Sequence, residues 1–274
     1  MSSIRLFRGE FGHVSVLNVA SNLVTHAHAE AHFIIWLGGS PGEMTVGAER
    51  VPLGPKAAVG VNSLQPHSHA LPCDGTSGSF LAFYIDPEWA RRRRGLAPDR
   101  QLFVQPSIPL DHWLHRAAIA LFERLEENPF DELADDEIER FIDSLFDAAD
   151  AAEPAIDRRR RHCATLDYRV RKAIALMRAN VCERISLDEV ARSVGLSRPH
   201  FFALFKEQTK LTPNVYWNTL RMEEALRQLR STEEPLISVA CSLGFNSPGN
   251  FTRFFRDHAG VPPMLYREAS RTAA

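Results

Sequence analysis

The sequence predicts an α+β protein in two parts, an all-β barrel or sandwich followed by two amphipathic helices, and then an all-helical part. Three observations carry this reading. In residues 1–85, short apolar runs (Val14–Val19, Phe33–Leu37, Val59–Val61, Phe80–Ile85) are separated by turn signals such as Gly38-Gly39-Ser40-Pro41-Gly42, the pattern of short strands. From Pro109 to Ala152 the apolar period lengthens: Leu110, Leu114, Ala117, Ala118, Leu121 and Leu125 form one stripe, and Ile138, Phe141, Ile142, Leu145 and Phe146 another, as in amphipathic helices. Beyond residue 164 the period stays helical.

A length of 274 residues favours two domains, each with its own core. The expected division is 1–150, a linker at 151–164, and 165–270. The linker stretch holds Pro154 and the run Arg158-Arg159-Arg160-Arg161 and has no apolar period. Met1–Glu10 carries Arg5, Arg8 and Glu10, and nowhere do eighteen apolar residues run together. A secreted or membrane-spanning chain is therefore not expected, and a cytoplasmic one is. Cys73, Cys163, Cys182 and Cys241 are scattered without a C-x-x-C pair, which reads most simply as buried thiols in a reducing compartment. Arg91–Arg94, following Pro87 on a short helix, reads as a solvated face. The net charge of -2 hides an asymmetry, because residues 160–274 hold 18 Lys+Arg against 11 Asp+Glu, whereas residues 1–159 hold 14 against 23. A basic C-terminal part on an acidic N-terminal part fits a nucleic-acid-binding module joined to something else.

The C-terminal part repeats itself over residues 186–216 and 235–266, and a repeat weighs more than an isolated motif. At an offset of 49, Leu187, Val190, Ala191, Ser193 and Gly195 meet Leu236, Val239, Ala240, Ser242 and Gly244; at 50, Phe201, Phe205, Pro213 and Tyr216 meet Phe251, Phe255, Pro263 and Tyr266. In the first copy Ser186 and Glu189 form a capping-box pattern. Gly195 supplies the positive φ that ends the helix, and Ser197 caps a second helix with Pro199 in its first turn. The second copy uses Gly244 and Ser247-Pro248 in the same way. Each copy is thus a helix-turn-helix, whose second helix commonly enters a DNA major groove. A long helix, Pro213–Leu229, would space the two units; a separation of roughly 34 Å would let both enter successive grooves.

Residues 165–270 resemble the DNA-binding domain of the AraC/XylS family of transcription regulators. The segment Ile185-Ser-Leu-Asp-Glu-Val-Ala-Arg-Ser-Val-Gly-Leu-Ser-Arg-Pro-His-Phe-Phe202 is similar to that family's first unit. Its C-terminal signature is matched by Ala240-Cys-Ser-Leu-Gly-Phe-Asn-Ser-Pro-Gly-Asn-Phe-Thr-Arg-Phe-Phe-Arg256 together with Gly260-Val-Pro-Pro-Met-Leu-Tyr-Arg267. The DNA-facing candidates are residues near the start of each recognition helix, which reach base edges. They are Arg198, Pro199, His200, Phe202 and Ala203 in the first unit and Asn246, Ser247, Asn250, Thr252 and Arg253 in the second. Ala203 stands where the family often has arginine or another polar residue, so the first unit is expected to read bases by apolar contact or to hold phosphates. Lys206, Arg256, Arg221 and Lys210 are expected on the phosphate backbone, and Arg253 on a guanine.

The resemblance further implies a cupin-like N-terminal effector-binding and dimerisation domain, with double-stranded DNA, a small-molecule effector, a second copy of the chain and RNA polymerase as candidate partners. In Thr25-His-Ala-His-Ala-Glu-Ala-His-Phe33, the side chains of His26, His28, Glu30 and His32 share one face if the segment is a single strand. His67 and His69 lie on a later strand end. Metal-binding cupins place H-x-H, a glutamate and a distant histidine in such positions; here His32 stands in place of the glutamate. The six residues are therefore expected to line an effector pocket or to hold a divalent metal ion. No nucleophile–base pairing or phosphate loop appears, so a regulator and not an enzyme is expected. Its alternatives are a constitutive DNA-binding protein with a structural barrel, or a metal-dependent cupin enzyme fused to a DNA-binding domain.

Overall fold

The computed structural model describes residues 3–72, 76–97, 100–127, 134–152, 166–183 and 185–272. The expected linker falls almost wholly outside the described residues, as do Cys73 and Cys163.

Ten strands occur among the described residues: β1 Ser3–Gly9, β2 Gly12–Val19, β3 Leu23–His26, β4 Ala31–Gly39, β5 Gly42–Val46, β6 Glu49–Leu53, β7 Ala57–Val61, β8 His67–Ala70, β9 Gly78–Ile85 and β10 Ser107–Pro109. All four expected apolar runs fall on strands. The strands form a six-stranded sheet, β1-β2-β9-β4-β7-β10, and a four-stranded sheet, β3-β8-β5-β6. Every pairing is antiparallel.

The larger sheet is buried on both faces, and strand alternation decides which residue faces what. Phe33 and Ile35 of β4 and Leu81, Phe83 and Ile85 of β9 pack under helices α1 (Pro87–Arg94), α2 (His112–Glu127) and α3 (Ala134–Ala152). Phe80 of β9 joins Val46, Val51, Leu53 and Val61 in a second core between the sheets. The expected stripes on α2 and α3 are the buried ones. Arg92 and Arg93 are exposed, in line with a solvated face, but Arg93 and Arg94 are also ion-paired. Arg93 lies 2.6 Å from Glu139 and 2.8 Å from Asp143, and Arg94 2.7 Å from Asp147 and 2.6 Å from Asp150. The basic run thus ties α1 to the acidic face of α3, a long-range pairing that a local charge pattern does not reveal.

The C-terminal part comprises α4 (Tyr168–Ala179), α5 (Leu187–Ser193), α6 (Arg198–Thr209), α7 (Pro213–Ser231), α8 (Leu236–Ser242), α9 (Pro248–Ala259) and α10 (Pro263–Thr272). The capping box of Ser186 and Glu189 is formed in both directions, and Gly195 and Gly244 have φ of 71° and 78°. Ser197 stands at the N-cap of α6 but its side chain makes no cap hydrogen bond, in contrast to Ser247, whose Oγ accepts from the Asn250 amide. The two remaining cysteines, Cys182 and Cys241, are exposed and not buried.

The two parts share their cores. Ala27 and Leu64 of the barrel pack with Val190, Phe201 and Phe205 of the first helix-turn-helix unit, and Ile4 and Leu6 of β1 pack with Met222, Phe251 and Tyr266 around the second.

Candidate nucleic-acid interface and histidine cluster

In each unit a short helix, a glycine turn and a second helix pack a pair of phenylalanines inward: Phe201 and Phe205 from α6, Phe251 and Phe255 from α9, all fully buried. That pairing fixes the rotation of each recognition helix and turns its opposite face outward. On α6, Arg198, Pro199, His200, Ala203 and Lys206 are exposed; on α9 and its approach, Asn246, Asn250, Arg253 and Arg256 are. Three candidates are less open than expected. Phe202 is half-buried against Phe201, with the Arg198 guanidinium 5.0 Å above its ring. Thr252 is half-buried, and the half-buried Ser247 is engaged as a cap. Arg198 also pairs with Asp188 of α5 at 2.7 Å. Arg221 of α7 lies 5.6 Å from the rings of both Trp217 and Phe245, with its Nε buried and burial lowering its pKa. It bridges the first unit to the turn of the second, a location at odds with a free phosphate ligand. Lys210 caps α6 in the left-handed region and its Nζ donates to the Glu207 carbonyl.

The second constellation lies between the sheets. His26, His28, Glu30 and His32 do not share a strand: β3 ends at His26, β4 begins at Ala31, and residues 27–30 form a loop with a bend. The expected alternation therefore breaks, yet three of the four still converge with His67. Ligand atoms of His26, His28 and His67 all lie within 4.8 Å of one another. His26 faces its register partner His67 at a ring distance of 4.3 Å, and His32 stands 4.6 Å from His67 and 5.3 Å from His28. His69, the next inward residue on β8, sets its ring 4.8 Å from Phe80 in the apolar core. Glu30 is half-buried in the loop and, like His69 and His32, falls outside that group of ligand atoms, although the His32 ring borders it.

Two histidines not singled out from the sequence complete the picture. His13, Tyr84 and His32 are register partners across β2, β9 and β4, with His13 stacked on Tyr84 at 4.5 Å. His258, in the last turn of α9, brings its ring 6.0 Å from His26. The sequence carried a weak signal for His258, since it lies three residues after Phe255 on the buried stripe and not on the polar face. Burial is the leading influence on all of these imidazoles and favours their neutral form. It pushes His13 and His67 down to about 3 and His69 to about 4. His26, His28 and His32 are held well below the ordinary histidine range, with neighbouring histidines adding to the effect.

An antiparallel double-sheet domain carrying two equivalent helix-turn-helix units defines a class of protein in which recognition helices are mounted on a β-barrel. The family model described as "Helix-turn-helix domain" matches residues 190–269. The chain is 32% identical over 88 residues to the multiple antibiotic resistance protein MarA of Salmonella typhimurium, covering 32% of this chain and 69% of MarA. It belongs to the AraC family of transcriptional regulators. It is 36% identical over 95 residues, 35% of its own length, to the uncharacterized HTH-type transcriptional regulator YobQ of Bacillus subtilis, and spans only 39% of that relative. Over nearly the whole chain the fold is similar to that of ToxT from Vibrio cholerae O395, with a TM-score of 0.55, 11% identity, and 98% and 97% of the two chains covered. One ToxT structure is described as bound to an unsaturated fatty acid.

Proposed function

We propose that this chain is a sequence-specific, effector-responsive transcription regulator and not an enzyme. The observation that carries the reading is the duplication itself: α6 and α9 are equivalent helices, each locked by two buried phenylalanines and each presenting exposed polar residues on its free face. Arg198, Pro199, His200, Phe202, Ala203 and Lys206 of the first unit, and Asn246, Ser247, Asn250, Thr252, Arg253 and Arg256 of the second, are its DNA-facing set. Arg253 is the base-reading arginine. Lys206 and Arg256, at equivalent positions, hold phosphates.

Residues 1–150 serve as the effector-binding and dimerisation domain, 151–164 as the linker and 165–270 as the DNA-binding domain. That a ToxT structure of similar fold is described as bound to an unsaturated fatty acid supports an effector-binding role. Supporting a homodimer is the outer surface of α2, where Trp113 is 70% exposed. No helix among the described residues is long and apolar enough to cross a membrane, in keeping with a cytoplasmic regulator that meets DNA and RNA polymerase directly. An effector acts by binding two arrangements of the parts with different affinity; in this reading one is the docked arrangement with shared cores and the other is one in which the parts are released.

The test is enrichment of genomic fragments by the purified full chain at a fixed, stated salt concentration. A discrete motif with two contacts about one helical turn apart is expected. A folded protein that enriches no sequence over random fragments overturns the reading.

A further inference from the structure

The histidine cluster lies at the seam between the barrel and the second helix-turn-helix unit, and two of its imidazoles, His26 and His67, are already oriented. His26 Nδ1 lies 2.6 Å from the Val24 carbonyl oxygen and His67 Nδ1 2.9 Å from that of Gln65. A carbonyl oxygen only accepts, so each Nδ1 carries the proton and each Nε2 keeps its lone pair. A backbone carbonyl on the distal nitrogen is the arrangement that steadies a metal-ligating imidazole. His258 repeats it, with Nδ1 2.7 Å from the Phe254 carbonyl oxygen. His26, His28, His32 and His67 are each at least nine-tenths buried, and no carboxylate belongs to the group of ligand atoms. Several imidazoles facing one another without an acidic partner have few hydrogen bonds to offer each other, whereas a divalent cation satisfies all their lone pairs at once. An all-imidazole set of this kind suits zinc, copper, nickel or iron over magnesium or calcium.

We propose that His26, His28 and His67, with His32 as the fourth imidazole, bind one divalent transition-metal ion, and that His258 links the occupied site to the recognition helix α9. The inference rests on the regulator reading above and names the effector class. A metal fixes the His26 ring, against which His258 packs, and α9 lies along β3, the strand that ends in His26. Occupancy therefore strengthens the hold of the barrel on the helix that bears Asn250 and Arg253. The ion acts by shifting the balance between docked and released arrangements, and no catalytic step is involved.

The experiment uses the full chain, stripped by a chelator and titrated with Co2+ as a visible probe and with Zn2+ as its competitor. One Co2+ per chain is expected, with intense visible ligand-field bands that Zn2+ abolishes. His67→Ala and, separately, His28→Gln are expected to lose the bands while keeping the far-ultraviolet circular dichroism of the parent. His258→Gln is expected to keep the bands but to lose the Zn2+-dependent change in affinity for the motif found by fragment enrichment. Absence of bands in the folded parent, or bands that persist unchanged in both His67→Ala and His28→Gln, overturns the site. An unaltered zinc response in His258→Gln overturns the link. Sequence-specific DNA binding without metal binding sinks only this inference, whereas metal binding by a chain that selects no DNA motif sinks the regulator reading and leaves the site standing.

Discussion

Glu223 of α7 shows how a single side chain records the docking of the two parts. Burial, then the negative charge of Glu30, push its carboxyl up to about 7, against the lowering influence of Arg178 and of the Ala29 backbone. An unfolded glutamate titrates near 4.5, so between these values the folded chain holds a proton that the unfolded chain releases. The cost to folding is absent below the lower value, grows as pH rises, and is complete above the upper one. Its ceiling is roughly 3 kcal/mol. Glu223→Gln should therefore raise stability by about 1–3 kcal/mol at about pH 8 and leave it unchanged at about pH 4; urea unfolding at both pH values checks this. Arg253 offers the opposite case, an exposed residue whose removal should cost no more than about 0.5 kcal/mol of stability. Arg253→Ala should instead lose about 1–3 kcal/mol of discrimination at one base position, measured by competition between single-base variants of the motif.

At the scale of elements, legibility followed the range of the interaction. The helix-turn-helix units were readable because glycine turns and phenylalanine spacing are local rules written twice, with a capping box added in the first copy. Ser186→Ala should cost about 1 kcal/mol by removing the acceptor for the Glu189 amide, seen as a lower thermal midpoint with unchanged DNA motif. The strands were readable from alternation, and the helices α2 and α3 from their stripes. What alternation misplaced was the segment from His26 to His32. The Leu64 amide donates to the His28 carbonyl at 2.7 Å, and this contact from a distant loop takes the chain out of strand geometry between β3 and β4. The gathering of His26, His28, His32 and His67 survived because the break re-aims the side chains toward the same space. The ion pairs of Arg93 and Arg94 and the placement of His258 were missed for one reason: their partners lie on other elements, and one sequence does not show which elements meet.

Over the whole molecule, the decisive feature is that strand β1 contributes Ile4 and Leu6 to a core whose other buried residues come from α7 to α10 and their connections. Leu6 is 4% exposed and packs in that core. Leu6→Ala should cost about 2–4 kcal/mol and, although the change lies in the barrel, should speed amide hydrogen exchange at Phe251 and Phe255 of α9. Acceleration confined to β1 and β2 would show that the cores are independent.

That same strand has a consequence for biosynthesis. Leu6 leaves the ribosome roughly 260 residues before Tyr266 of α10, which belongs to the surface that Ile4 and Leu6 fit against. At ~5–20 residues per second this leaves an apolar edge waiting for tens of seconds. Throughout that interval the strand has been made without the helical surface that buries Ile4 and Leu6.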